Sequence, residues 1–186
     1  MVPALSLWLP VLLSAVFVFI ASSVIHMVFK YHSGDFKPLP SEDEVMSDLG
    51  KYQIPPGEYY MPHISDWKDR EKPEVKEKLE KGPVAFMTVT TADYAMGKSL
   101  GAWFVYCALV GLLTAYVTGL ALAPGADYMA VFRMASTVAF TAYFLALVQN
   151  SIWYKRAWST TAKYLLDGLI YAALTAGTFA WLWPDG

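Results

Sequence analysis

Four polar residues fall inside otherwise apolar runs, where lipid would make them costly: His26, Gln149, Asn150 and Asp167, with Lys163 just before the last run. His26 lies four residues before Lys30, Asn150 five before Lys155 with Gln149 beside it, and Asp167 four after Lys163, so all reach one depth near a membrane boundary. An imidazole, two amides, an amine and a carboxylate at one level could hold a ligand, a proton or an ion, and ionisable groups within spans often mark such sites. The same residues also have a structural use. Asp167 can pair with Lys163 along its own helix, near a helix N-terminus that favours negative charge. Gln149 and Asn150 can bond across helices or to hydrated headgroups.

Other chemistry is sparse. The three histidines are His26, His32 and His63, with Asp35, Glu58 or Asp66 as possible oxygen donors. No pair has the i,i+4 spacing that sets two imidazoles on one helical face, so no metal ligand set is assigned. The single cysteine, Cys107, excludes an intramolecular disulfide and a Cys-based zinc site. No G-x-S-x-G elbow occurs, and no catalytic or cofactor-binding residue is assigned. The stretch "ADYAMGKS", residues 92–99, fits a relaxed phosphate-loop pattern. A working phosphate loop joins a strand to a soluble helix in a βαβ core, whereas here the following helix is a membrane span. Lys98 is read as an interfacial anchor, with Gly97 and Ser99 opening the helix, and the sequence argues against nucleotide binding.

The elements that must position these residues are membrane helices. With 56% apolar residues the chain is too greasy for an ordinary soluble domain of this size. Four runs can cross a core of about 30 Å at ~1.5 Å per residue. They span residues 5–29, 100–123, 129–153 and 164–183. The expected fold is an all-α membrane protein with four transmembrane helices and a small cytoplasmic α/β-like loop region between helices 1 and 2. Its segments are 1–29 for helix 1, 30–99 for the loop region and 100–186 for helices 2–4. The first run lacks a preceding basic residue and is too long for a cleavable signal, so it reads as a retained helix.

Lys30, Lys98, Lys155, Arg156 and Lys163 all flank one face, whereas the other carries Asp127, Asp185 and a single arginine, Arg133. The positive-inside rule then makes the lysine-rich face cytoplasmic, with residues 30–99 on that side and both termini outside. Trp8, Trp181 and Trp183 mark the outer boundary, and Trp103, Trp153 and Trp158 the inner one. A net charge of −2 provides no field to attract nucleic acid.

Helix association in lipid depends on close packing through small residues. Gly111, Ala115, Gly119 and Ala123 recur every four residues, as do Gly168, Ala172, Ala176 and Ala180. These stripes predict a tight bundle and leave room for self-association or a membrane-protein partner. In the loop region, residues 41–49 read as a helix with a Ser41/Glu44 capping box and Gly50 as its left-handed close. Pro73 to Lys81 reads as a second helix stopped by Gly82, and Val84 to Thr90 as strand-like.

The stretches "HSGDFKPLPSEDEVM", "IPPGEYYMP", "GPVAFMTV", "MGKSLGAWFVY" and "SIWYKRAWSTTAKYLLDGLIYAALTAG" resemble a group of small bacterial four-span inner-membrane proteins without an assigned activity. The resemblance covers nearly the whole chain from Lys30 onward. It implies a bacterial inner (cytoplasmic) membrane and four spans, and brings no activity or cofactor with it. Three functions remain open: an accessory or scaffolding subunit, a small transporter or ion-conducting oligomer using the polar layer, and a membrane-bound metal-dependent enzyme.

Overall fold

The apolar runs fold as helices, the arrangement that satisfies every backbone polar group within the segment itself. The computed structural model describes residues 1–91 and 95–185. Ala92, Asp93, Tyr94 and Gly186 lie outside the described residues, and with them three positions of the phosphate-loop-like stretch. The chain divides into two compact units, Met1–Phe36 with Met96–Gly186, and Lys37–Ala95.

In the helical unit a 3₁₀ turn, Ala4–Leu7, leads into α1, Trp8–Val24, which ends in a π turn, Ile25–Phe29. Pro10 falls in the first turn of α1, where a missing N–H costs little. Within Lys37–Ala95 the elements are α2, Glu42–Gly50; β1, Gly57–Met61; α3, Pro73–Lys81; and β2, Ala85–Val89. The helical unit resumes with α4, Met96–Ala121, and α5, Tyr128–Tyr143. It ends with α6, Val148–Trp153, and α7, Trp158–Trp181.

Among the described residues, three helices are long and apolar enough to cross a membrane: Ala4–Phe29, Met96–Ala121 and Tyr128–Trp153. The last run, expected as a fourth equivalent span, forms the 24-residue α7 but stands apart from these three. It carries Lys163, Asp167 and the buried threonines Thr160, Thr161, Thr175 and Thr178. These tolerable polar positions follow from its place: α7 packs along both α5 and α1, so much of its surface meets protein instead of lipid.

Both termini lie at one end of this unit, beside the α4–α5 connection. The Val2 amide donates to the Gly119 carbonyl at 2.8 Å and the Gly125 amide to Pro184 at 2.8 Å. Trp183 Nε1 donates to the Ala123 carbonyl at 3.0 Å. Trp183 is therefore buried, and Trp103 is tied inward by a 2.8 Å bond to Ser22 Oγ, while Trp8, Trp153, Trp158 and Trp181 stay exposed. Asp127 caps α5 by accepting from the Met129 and Ala130 amides, a local use that leaves Arg133 exposed without needing it.

The small-residue stripes meet neighbouring helices. A Cβ on Gly111 would stand 3.2 Å from the Val11 carbonyl oxygen, and one on Gly119 would strike the Val2 carbonyl. Ala115 and Ala176 are fully buried, and Ala172 nearly so. The α4 stripe ends at Gly119, since Ala123 lies beyond the helix and is exposed. The third run is not one continuous helix. Phe144, at φ −123°, breaks it, and a 3₁₀ turn, Leu145–Leu147, precedes α6. The break sits against Gly168, whose absent side chain admits the Phe144 Cβ.

In the second unit, β1 and β2 form a two-stranded antiparallel sheet, with Gly57 opposite Val89 and Met61 opposite Ala85. This differs from the parallel strand of a phosphate-loop core, and Gly97, Lys98 and Ser99 open α4. Helix α3 has the expected bounds, with Gly82 at φ +62° as its stop. The expected capping box on α2 does not form. Ser41 is itself left-handed, at φ 49° and ψ 48°, so its hydroxyl is not directed at the helix amides, and Gly50 continues the helix. Gln53, at φ 46°, takes the left-handed position instead.

Candidate functional site

The most highly connected polar cluster in the helical unit is built where α1 ends. A π turn widens a helix by one residue and recurs at functional positions. Here the Lys30 amide reaches back to the Ile25 carbonyl at 3.0 Å, and Lys30 turns left-handed at φ 51° and ψ 22°. Two further turns, Ser33 to Lys30 and Asp35 to His32, each at 3.0 Å, curl the exit segment back over the helix end. The His32 ring thereby stacks on His26 with centroids 4.8 Å apart and planes within 3°. Tyr31 and Tyr164 close around it at 4.6 and 5.0 Å.

His32 then bridges two carboxylates. Its Nδ1 lies 2.7 Å from Asp35 Oδ2 and its Nε2 lies 2.8 Å from Asp167 Oδ2. An imidazolium satisfies both contacts, because it donates from both nitrogens. The other oxygen of Asp167 accepts from the Tyr31 hydroxyl. Lys163 Nζ donates to Asp35 Oδ1 and to the Tyr31 carbonyl, each at 2.6 Å. Two carboxylates, an imidazole and an amine thus interlock the exit segment with α7, and each carboxylate has at least two donors. His26 Nδ1 lies 2.9 Å from the Ser22 carbonyl, so that nitrogen is the one that carries hydrogen. Arg156 stacks 4.8 Å above the Tyr164 ring and donates to its hydroxyl at 3.1 Å.

Of the polar layer read from sequence, the structure brings His26, Lys163 and Asp167 into this cluster. Gln149, exposed, and Asn150, half-buried, lie on α6, and among the described residues no side-chain hydrogen bond ties them to it. Lys163 does not close onto Asp167 along the helix. It reaches Asp35, because His32 and Tyr31 already occupy both Asp167 oxygens. Tyr31, His32, Asp35 and Tyr164 complete the cluster; the sequence names His32 and Asp35 only as possible metal donors, and the spacing does not join them to Asp167. Six residues separate His26 from His32, a separation that puts rings on different faces of a regular helix. Only the π turn and the reversal at Lys30 stack them. His63, Glu58 and Asp66 belong to the second unit.

The charges act on the groups outside the spans in opposite directions. Burial draws the Asp35 carboxyl upward, but hydrogen bonds from Lys163 and His32 outweigh it and hold the group below its ordinary value of 3.8. Burial first, and then the bond to Asp167, push the Tyr31 phenol well up, so it remains a donor. Asp35 therefore stabilises the fold above the ordinary carboxylate range, and that contribution is lost as pH falls below 3.8 through the folded value. Thermal midpoints in detergent should fall as pH drops below about 4. The fall should be shallower in Asp35→Asn, and an identical acid slope in that variant would remove the carboxylate from the account.

The cluster can hold a proton between His32 and Asp167. It can also present a cation with two imidazoles and a carboxylate: one ligand atom from each of His26, His32 and Asp167 lies within 4.8 Å of the others. Comparison with family models, curated proteins and solved structures finds no match to the chain.

Proposed function

We propose that the chain is a bacterial inner-membrane protein that crosses four times, with both termini outside and residues 30–99 cytoplasmic, and acts by association as an accessory or scaffolding subunit. The observation that carries this reading is the ion cluster at the exit of α1. Asp35, His32, Tyr31, Lys163 and Asp167 fix the exit segment to α7 at the point where the chain leaves the helices. So many mutually satisfied polar groups on one exit segment exceed what a simple connection between spans needs, and fit a chain that uses this end of the helical unit for association.

Packing supports the same reading over transport. Val18, Ala115, Val131, Ala135, Ala139 and Phe179 are fully buried along the interior. Thr114, Thr175 and Thr178 turn their hydroxyls back onto the carbonyls of Val110, Tyr171 and Leu174 in their own helices. The interlocked charges collect at one end, and beyond them the buried residues are apolar side chains with a few serines and threonines. On α4, Leu109, Leu113 and Tyr116 face outward, exposed by about half, and offer an apolar surface for lipid or a partner helix.

Solubilising native membranes in a mild detergent, measuring the particle mass and identifying every companion polypeptide tests the proposal. A particle of defined stoichiometry larger than this chain with its detergent is expected. A homogeneous particle holding one copy alone would overturn it.

A further inference from the structure

We propose that His26, His32 and Asp167 form a binding site for a divalent transition-metal ion of the zinc type. The strongest indication is what the two rings bond to through Nδ1. Metal-ligating histidines donate their second ring N–H to a carboxylate or a backbone carbonyl, which fixes the tautomer and aims the other nitrogen at the ion. Both arrangements occur here. His26 Nδ1 is bonded to the Ser22 carbonyl at 2.9 Å, and His32 Nδ1 to the Asp35 carboxylate at 2.7 Å. His26 is left with Nε2, and the Nε2 of His32 is the nitrogen that meets Asp167 Oδ2 at 2.8 Å. The third ligand is prepared in the same way: Tyr31 donates to Asp167 Oδ1, while Oδ2 faces His32 Nε2 at 2.8 Å. Asp35 is held in turn by Lys163 at 2.6 Å.

The dimensions suit an ion. The three ligand atoms lie within 4.8 Å of one another. Bonds of about 2.0–2.1 Å in a tetrahedral site place ligand atoms roughly 3.3 Å apart. Because the rings stack with planes within 3°, their in-plane lone pairs do not converge, so the His26 ring must turn out of the stack to reach the ion, and it can turn because it is exposed and hydrogen-bonded only to its own helix. The ion takes the place of the hydrogen between His32 Nε2 and Asp167 Oδ2, which leaves to solvent, and its charge is shared with the Asp167 carboxylate. Two imidazoles with one carboxylate select zinc, cobalt, nickel or ferrous ions over magnesium or calcium, which prefer all-oxygen shells. Three protein ligands leave a fourth position open on the exposed His26 side, the arrangement of an exchangeable site and not of a closed structural one.

This inference stands apart from the association reading. A chain that travels alone yet binds zinc would lose the first and keep the second, and a complexed chain indifferent to zinc would do the reverse. The test uses full-length, tag-free protein stripped of metal in detergent, titrated with Zn²⁺ against a chromophoric chelator and with Co²⁺ followed by visible absorption. One ion per chain is expected, with a four- or five-coordinate cobalt spectrum and no competition from excess Mg²⁺. His26→Gln should weaken Zn²⁺ at least tenfold while the elution profile stays unchanged, because the exposed ring supports little of the fold. Asp35→Asn should cost about 10–100-fold through the orientation of His32. Absence of saturable binding by the wild-type chain would overturn the proposal. So would equal affinity in His26→Gln, or binding abolished by His63→Gln instead.

Discussion

Asp167→Ala should lower the unfolding free energy of the helical unit by about 3–5 kcal/mol, the range for removing one partner of a buried ion pair. The His32 and Asp167 side chains are 10% and 3% exposed, so water cannot take over the lost contacts. The substitution removes the acceptor of Tyr31 and one of the two carboxylates on His32 together, and leaves Asp35 as the remaining carboxylate for His32 and Lys163. Asp167→Asn keeps the volume and one acceptor and should fall between wild type and alanine. Combining His32→Gln with Asp167→Ala should be much less damaging than the sum of the single changes, because the unpaired charge is then gone. Thermal or denaturant midpoints in one detergent provide the measurement. An unchanged midpoint in Asp167→Ala would mean that the exit segment is not held by this carboxylate, and the association reading would lose its support.

The parts of this site differed in how visible they were. Lys163 and Asp167 are legible because charge in or just beside an apolar run has few explanations, and His26 because it lies at the same depth. Tyr31, His32 and Asp35 read as the start of a polar loop, and nothing in their spacing places them on the helical unit. Their position depends on a π turn and a left-handed lysine, two backbone departures that composition and periodicity do not encode. A similar limit applies to the helices. Their existence follows from run length and their contact faces from the recurrence of Gly and Ala. The break at Phe144 could not be read, because the run from 129 to 153 has no glycine or proline to signal it. The break depends on a partner, since Gly168 on α7 provides the space that Phe144 enters. In the second unit, Pro73 and Gly82 punctuate α3 by local chemistry and were readable, whereas Ser41 has the right residue type for a cap and the wrong backbone conformation.

That dependence leads to a second large expected effect. Gly168→Leu should destabilise the bundle by about 1–3 kcal/mol or more, the usual cost of forcing atoms into a filled interior. A Cβ at this position would stand 2.9 Å from the Cβ of Phe144, and that atom cannot swing away because it is fixed to the backbone. Either α7 must move from α5 or the break at Phe144 must reform, and both disturb the most extensive helix contact in the unit. Helix propensity acts in the opposite direction, since leucine is favoured over glycine by a little under ~1 kcal/mol. Gly177 on the same helix separates the two terms, because a Cβ there meets nothing within 4 Å. Gly177→Leu should therefore hold or raise the thermal midpoint while Gly168→Leu lowers it. A Gly168→Leu protein as stable as the Gly177→Leu control would show that α7 does not rely on close approach at Phe144. The recurring small residues would then reflect general alanine richness and not the packing that holds Asp167 in reach of His32.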